Sequence, residues 1–352
     1  MRILIIGGTS FIGPHVAREL QEAGHAVTVY HRGISESILP QEVTHIHGDQ
    51  SRLPDFASQW RELSPAVVLH MVPASAQDAW TFVRTFRGIA RRLVAISSID
   101  VYRAYNRLLG IETGPPDPVP LREDSPLREV LYPFRGNEAE QGDDPEARRW
   151  GDDYDKILVE KIVMSEPGLP GSILRLPVVY GPFDNQHRLF HHLKRIDDGR
   201  PAILLGEEHA RWRWSRAYVE NVAHAIAMVV ADERAARRIY NVAEPETWSE
   251  AEWVAHIARV AHWEGRVVTF PSQKLPQHLK QDYAWEHELA VDSSRIRREL
   301  GYEEVIPLDE GLRRTIAWER ANMPSEVDLA SFDYPAEDEA LDSIPKSNPP
   351  SP

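Results

Sequence analysis

Met1-Arg-Ile-Leu-Ile-Ile-Gly-Gly-Thr-Ser-Phe-Ile-Gly13 is an apolar run that breaks into a glycine turn, and the chain beyond it continues at helical spacing. Ile3, Leu4, Ile5 and Ile6 form a short unbroken apolar stretch, the pattern of a parallel strand buried on both faces. From His15 to Ala23, Val16, Leu20 and the alanines recur at helical spacing. Gly7, Ser10 and Gly13 fall every third residue between the two elements. The backbone must turn sharply at Gly7, and at Gly13 the helix must approach the strand closely. The helix N-terminus then offers free N–H groups and the positive end of its dipole to a pyrophosphate. A glycine turn alone is weak evidence. The order strand, turn, helix, strand gives it meaning, and it predicts a dinucleotide held at Gly7, Thr9, Ser10, Phe11, Ile12 and Gly13.

The second strand, His25 to Tyr30, leads into His31-Arg32-Gly33, where such a fold meets the adenosine ribose. An acid there favours a free 2′-hydroxyl, whereas arginine pairs bidentately with a 2′-phosphate. Arg32 therefore points to NADP in preference to NAD; the competing reading is a solvated arginine at a strand end.

At this point the chain resembles an extended short-chain dehydrogenase/reductase of the NAD-dependent epimerase/dehydratase family, over Met1 to about Trp318. Gly7-x-x-Ser10-x-x-Gly13 is similar to the family's three-glycine turn with serine in the middle place, and its wording resembles atypical members more than the sugar epimerases. The resemblance implies an α/β, Rossmann-type doubly wound parallel sheet with a smaller C-terminal α/β substrate lobe. It implies a mainly NAD(P)-binding domain over residues 1–182 and a mainly substrate-binding lobe over 183–322, the two interleaving. Family landmarks follow in order: His47-Gly48-Asp49, where an aspartate contacts adenine; Val67 to His70 as a fourth strand; and Leu93 to Tyr102 as a fifth, with a serine pair whose Ser98 resembles the active-site serine. Ile173 to Pro182 is similar to the strand and turn that close over the nicotinamide. Arg211 to Ala223, Tyr240-Asn-Val242 and Leu300 to Trp318 resemble the substrate lobe.

Composition is that of an ordinary enzyme. The 352 residues suffice for one large domain and a smaller lobe. No apolar run approaches the roughly 20 residues that span a bilayer, and the start does not read as a signal peptide; cytoplasm is the default location, and no membrane partner is expected. Cysteine is absent, which excludes disulfides and thiolate chemistry. A formal charge of −14 argues against nucleic acid as the main partner. No metal is expected: His191 and His192 are adjacent and diverge on a helix, and although His45, His47 and Asp49 share a strand face, the fold gives Asp49 to the adenine.

Three stretches depart from the packed pattern. Residues 106–145, rich in Pro, Gly and charge, read as a lid inserted above the sheet's C-terminal edge. Phe183 to His187 reads as a second loop, followed by Arg188. From about Pro324 the acids Glu326, Asp328, Asp333, Glu337, Asp338, Glu339 and Asp342 oppose only Lys346, so residues 323–352 read as a disordered acidic tail, dispensable for folding.

The chemistry turns on Trp150-Gly-Asp-Asp-Tyr-Asp-Lys-Ile-Leu-Val-Glu-Lys161. In the family a tyrosine stands four residues before a lysine, on one helix face. The lysine holds the nicotinamide ribose and lowers the phenol pKa, the tyrosine exchanges a proton with a substrate hydroxyl, and a serine bonds the same oxygen. Here Lys156 matches the lysine, but Asp152 stands four residues before it and the nearby tyrosine is Tyr154. Two residues along a regular helix is about 200°, which would turn Tyr154 away from Lys156. Three readings compete. The helix begins late and lets Tyr154 reach the site with Ser98; another group acts, among Asp152, Tyr102 and Tyr132; or proton transfer is lost and the fold serves as an NADP-binding sensor or scaffold. Ser98 itself has a bland reading, a strand-end hydroxyl satisfying the backbone.

In the substrate lobe, Arg211-Trp-Arg-Trp-Ser-Arg216 interleaves bases with aromatics, and a basic residue near this strand holds a diphosphate in the family, so Arg211 is a candidate. The alternative puts Trp212 and Trp214 in the core and the arginines in water. The expectation is an enzyme acting on a hydroxyl-bearing, nucleotide-linked metabolite, a small-molecule substrate. The rival is a regulator, and an RNA-binding relative is a third class. Family resemblance also implies a homodimer through helices beside Lys156.

Overall fold

The computed structural model describes residues 1–34, 39–136 and 150–343. Its centre is a seven-stranded sheet in the order β10-β6-β5-β4-β1-β2-β3. The strands are β1 (Arg2–Ile6), β2 (Ala26–His31), β3 (Thr44–His47), β4 (Val67–His70), β5 (Arg92–Ser98), β6 (Gly171–Leu176) and β10 (Ile239–Asn241). Every neighbouring pair is parallel. Strand order runs outward from β1 in both directions, so the crevice between the C-terminal ends of β1 and β4 is where such a sheet binds ligands. β7 (Val178–Tyr180) pairs with β9 (Arg216–Tyr218), and β8 (Ala202–Gly206) with β11 (Arg266–Phe270), outside the main sheet.

Alternation within β1 shows why the run at Ile3–Ile6 must be apolar throughout. Ile3 and Ile5 join Val16, Ala17 and Leu20 of α1 (Ile12–Glu22) and Val222 and Ile226 of the Val219–Ala231 helix. Leu4 and Ile6 face the other way, onto Trp60 of α2 (Ala57–Leu63), Phe82 and Phe86 of α3 (Ala76–Phe86), and Val159 and Val163 of the Lys156–Met164 helix. Both faces are covered, as a parallel sheet requires. The edge strand β10 comes from the C-terminal half of the chain, so the larger domain is not closed by residue 182.

The stretch read as a lid is anchored to the core at particular residues, with exposed segments between them. Leu121 is 1% exposed and bridges to Val291, and Arg128 is 4% exposed. Arg107 and Asn106 bond within the stretch, to the Pro115 and Val130 carbonyls, while Arg128 reaches the Asp100 carbonyl and the Leu121 and Glu123 carbonyls accept from Asn241 and Arg175. Prolines and charges that look loop-like in sequence serve here to satisfy buried backbone. Residues 137–145 of that stretch lie outside the described residues.

The tail also corrects its expectation. Tyr334–Asp342 is a helix whose Glu337 is fully buried, accepting from Arg195 Nη2 at 2.6 Å and lying 3.0 Å from His278 Nε2. Asp338 pairs with Arg200, and Phe332 packs on Phe190 and His191. Glu337 and Asp338 find their cations far upstream, while Asp328 and Asp333 cap local helical turns; residues 344–352 are outside the described residues. Truncation after Met323 leaves Arg195, 5% exposed, without its carboxylate. It should lower the unfolding free energy by about 3 kcal/mol, seen as a lower Tm by calorimetry; an unchanged Tm contradicts the packing.

Candidate active site

The glycine turn is built as a cradle. Gly7 and Gly8 have φ of 77° and 91°, values that favour glycine. A Cβ on Gly13 would stand 2.1 Å from the Gly8 Cα, so the first turn of α1 can lie against the turn only as glycine. The N-terminus of α1 carries no side-chain cap; Gly13 N donates to the Ser10 carbonyl at 3.1 Å and Pro14 has no N–H, which leaves that of Ile12 among the first helical residues. Thr9 is buried, Ser10 exposed, and Phe11 holds φ 47° at the entry to α1.

At the far end, Arg32 is exposed just beyond β2. Asp49 caps the short helical turn Gln50–Phe56, accepting from Ser51 N at 2.9 Å and Ser51 Oγ at 2.6 Å. Those bonds hold its carboxyl below the usual range, and Arg32 adds to the effect. His31 Nε2 lies 2.9 Å from His45 Nδ1, so two of these histidines partner each other.

The Lys156 helix begins late. Asp155 accepts from Ile157 N at 2.9 Å and Leu158 N at 3.3 Å, an N-cap that makes Lys156 the first helical residue. Its other oxygen accepts from Tyr132 N at 2.7 Å and from Arg128 Nη1 at 3.4 Å, and its own N–H donates to the Ala74 carbonyl. Asp152 belongs instead to a separate helical turn that ends at Asp153, where its carboxylate accepts from Gly136 N. It does not share a helix face with Lys156, and that candidate falls away. Tyr154 stands in the irregular backbone between the two, and no 200° rotation separates it from Lys156.

Lys156 Nζ lies 5.7 Å from the Tyr154 ring centroid. It donates to the Pro73 carbonyl at 2.6 Å and the Ile96 carbonyl at 3.2 Å, past the ends of β4 and on β5. An ammonium has three donors, so one remains for a ribose hydroxyl. Burial pushes Lys156 down to about 8, against the pull of Asp100, Asp78 and Glu160. Beneath it His70, fully buried, is pushed down to about 3 by burial and by Lys156, and stays neutral.

Tyr154 is 6% exposed, and its hydroxyl donates to Asp100 Oδ2 at 2.5 Å. Burial first, then Asp100, hold the phenol well above its ordinary range, the reverse of the shift that the family pattern implies. Ser98 ends β5, half-buried, and its Oγ accepts from Asp100 N at 3.2 Å. Ser97 points to the opposite face and donates to Glu160, which leaves Ser98 as the serine on the site side. Asp100 and Arg128 are the members that sequence reasoning missed. An acid inside the apolar Ile99–Val101 turn was the available signal; Arg128 sat in the stretch read as a lid.

Other candidates are placed elsewhere. Tyr102 is fully buried, donates to Asn241 Oδ1 at 2.7 Å and accepts from Arg175 Nη1 at 3.0 Å, and burial raises it to about 12. Its phenol is consumed by the core, so neither a substrate contact nor proton transfer falls to it. Tyr132 is half-buried at φ 57°, with Arg135 stacked 3.8 Å from its ring centroid. Arg211 is exposed at the end of the Glu207–Arg211 helix, and Arg216 is the inward arginine, paired with Glu250 over the Trp253 ring. Trp212 is buried and Trp214 half-buried, so aromatics and bases alternate between core and surface. Arg188 closes onto Asp184 at 2.6 Å.

With the geometry in place, the comparisons agree with it. The model of the NAD dependent epimerase/dehydratase family matches residues 3–243. The chain belongs to that family. It is 24% identical over 303 residues to 2′-dehydrokanamycin reductase of Streptomyces kanamyceticus, covering 84% of this chain and 75% of that one. Among solved structures it resembles UDP-glucose 4-epimerase of Thermotoga maritima, determined with UDP-glucose, at 18% identity and a TM-score of 0.66, covering 92% of this chain and 100% of the other. It also resembles WbmG of Bordetella bronchiseptica in complex with NAD, at 17% identity and 0.64, covering 92% and 94%. These structural likenesses establish the Rossmann-type fold. Among the described residues no helix is long and apolar enough to cross a membrane.

Beside the site, Tyr180 on β7 donates to Glu244 at 2.7 Å, and burial raises Glu244 to about 7. A carboxyl raised in the folded state costs stability as pH rises from its unfolded value to its folded one. The loss begins near the unfolded value and is complete above about pH 7. Glu244→Gln, which mimics the neutral form, should therefore raise the unfolding free energy at pH 8 by up to about 3 kcal/mol and leave it nearly unchanged at pH 4. Denaturant titrations at both pH values check this; an equal effect at both contradicts it.

Proposed function

We propose that the protein is an NADP-preferring enzyme that carries out oxidoreductase, epimerase or dehydratase chemistry on a hydroxyl-bearing, nucleotide-linked metabolite. The observation that carries this reading is the Asp155 cap, which starts the helix at Lys156 and lets Tyr154 share a pocket with it. Gly7, Ser10, Phe11, Ile12 and Gly13 would hold the pyrophosphate, Arg32 and Asp49 the adenosine end, and the third Lys156 proton the nicotinamide ribose. When bound, the cofactor supplies a hydride acceptor or donor. Tyr154 exchanges the substrate proton, and Ser98 orients the same hydroxyl.

The nucleotide-linked part of the reading draws support from a cleft of about 540 Å³ in the substrate lobe. Its wall includes His209 stacked on Trp285 at 4.4 Å, with Tyr283, Lys280 and Gln277 around it. Flat aromatic walls suit a heterocyclic base. Trp285 also packs against the hydrophobic cluster that holds Ile157, next to Lys156. The rival, a dinucleotide sensor without turnover, is favoured by one fact only, the raised Tyr154 phenol.

Calorimetric titration with NADP and NAD tests the cofactor part. The unsubstituted chain should bind NADP at least tenfold more tightly, and Arg32→Asp should reverse the order, because an acid repels the 2′-phosphate and accepts a bond from a 2′-hydroxyl. An unchanged ratio removes Arg32 from the ribose site. Turnover of a nucleotide-sugar panel, followed by nicotinamide absorbance, separates enzyme from sensor.

A further inference from the structure

We infer that Asp100 is the proton partner of Tyr154, the two forming a buried carboxyl–phenol pair through which a substrate hydroxyl exchanges its proton. The inference rests on the reading of Tyr154 as the proton carrier and goes beyond it by naming where the proton goes next.

Asp100 occupies the turn after β5, held by Ser98 at its own N–H and by Arg128 Nε on its carbonyl at 2.6 Å. Oδ2 takes the Tyr154 hydroxyl at 2.5 Å, while Oδ1 is buried and has no partner. Arg128 Nη2, equally buried and unpartnered, lies 3.9 Å from that oxygen. A polar atom buried without a hydrogen bond costs about 1–3 kcal/mol, and here both the carboxylate oxygen and the guanidinium nitrogen facing it are so placed. Left open, the pair lets Asp100 change charge without breaking the bond to Tyr154.

Both charge states find support. Burial favours the neutral acid; Arg128, Tyr154, Lys156 and Ser98 favour the carboxylate. Around this centre stand Tyr105 near Tyr154, Asp155 on the far side of Arg128, Asp78 and Glu160 near Lys156, and the neutral His70. The same pair resolves the conflict with the family pattern. A free phenolate, which burial opposes here, is not needed if the phenol proton moves on to the carboxylate as the substrate proton arrives.

In the oxidising direction the substrate C–H bond breaks and its electron pair leaves as hydride to the oxidised nicotinamide. The O–H electron pair becomes the second C–O bond, the released proton goes to Tyr154 Oη, and the proton Tyr154 held goes to Asp100 Oδ2. Alcohol, oxidised dinucleotide and carboxylate become carbonyl, reduced dinucleotide and carboxylic acid, and charge balances. Reduction runs the same path backwards.

Infrared difference spectra of the full chain without cofactor, titrated over pH, test the pair directly. A protonated-carboxyl band should persist above the pH range of a free aspartate. It should vanish in Asp100→Asn and titrate at still higher pH in Tyr154→Phe, which removes one bond to the carboxylate. Tyr154→Phe deletes a single hydroxyl, so it answers even if Asp100→Asn fails to fold. No such band, or one that Tyr154→Phe leaves unmoved, overturns the inference. Titration of the same sample with NADP separates the two levels: absence of binding overturns the proposed function while the infrared result still decides the pair.

Discussion

The site depends on one carboxylate. Asp155 caps the Lys156 helix with one oxygen and gathers Tyr132 N and Arg128 with the other, wholly out of water. A buried carboxylate is tolerable only with such a set of donors. Because it fixes where the helix begins, it also fixes where Tyr154 leaves irregular backbone, which way its ring turns, and that Asp100 receives its hydroxyl. Lys156 then enters as the first residue of a helix pinned to β4 and β5 by its own ammonium. An extra turn of helix before Asp155 would place Asp152 beside the lysine and send the phenol elsewhere.

The two faces of the sheet carry separate duties. On one side α1 and the Val219–Ala231 helix close over the glycine turn. On the other, α3 and the Lys156 helix pack together over β4 and β5. Cofactor cradle and chemical group are thus positioned by different layers and meet only at the C-terminal edge, beside the switch between β1 and β4. The contacts of the C-terminal segment, which tie Glu337 to both Arg195 and His278, brace the chain where it lines the lobe's cleft at Gln277.

What the sequence disclosed follows from range. The glycine turn, the apolar strands and Lys156 are local patterns, and each is where the pattern placed it. Ser98 was legible because a strand end is a local event. Tyr154 was legible only as one of three competing readings, since its reach depends on a cap whose partners Tyr132 and Arg128 lie more than twenty residues upstream. Asp100 was hidden by the apolar residues beside it, and Arg128 by the prolines and charges around it. The tail looked unpartnered because Arg195 stands 142 residues before Glu337. Tyr102 was chosen for its place near Ser98 and Arg211 for the family's basic residue near that strand, and neither type nor place says which way a side chain points.

A crystal structure of the full chain with NADP bound is the most direct measurement. The account predicts Lys156 Nζ within about 3 Å of a ribose hydroxyl, and the Tyr154 and Ser98 hydroxyls both opening on the space in front of the nicotinamide C4, with Asp100 behind the phenol. A nicotinamide lodged away from Tyr154, or a ribose held by groups other than Lys156, would contradict it.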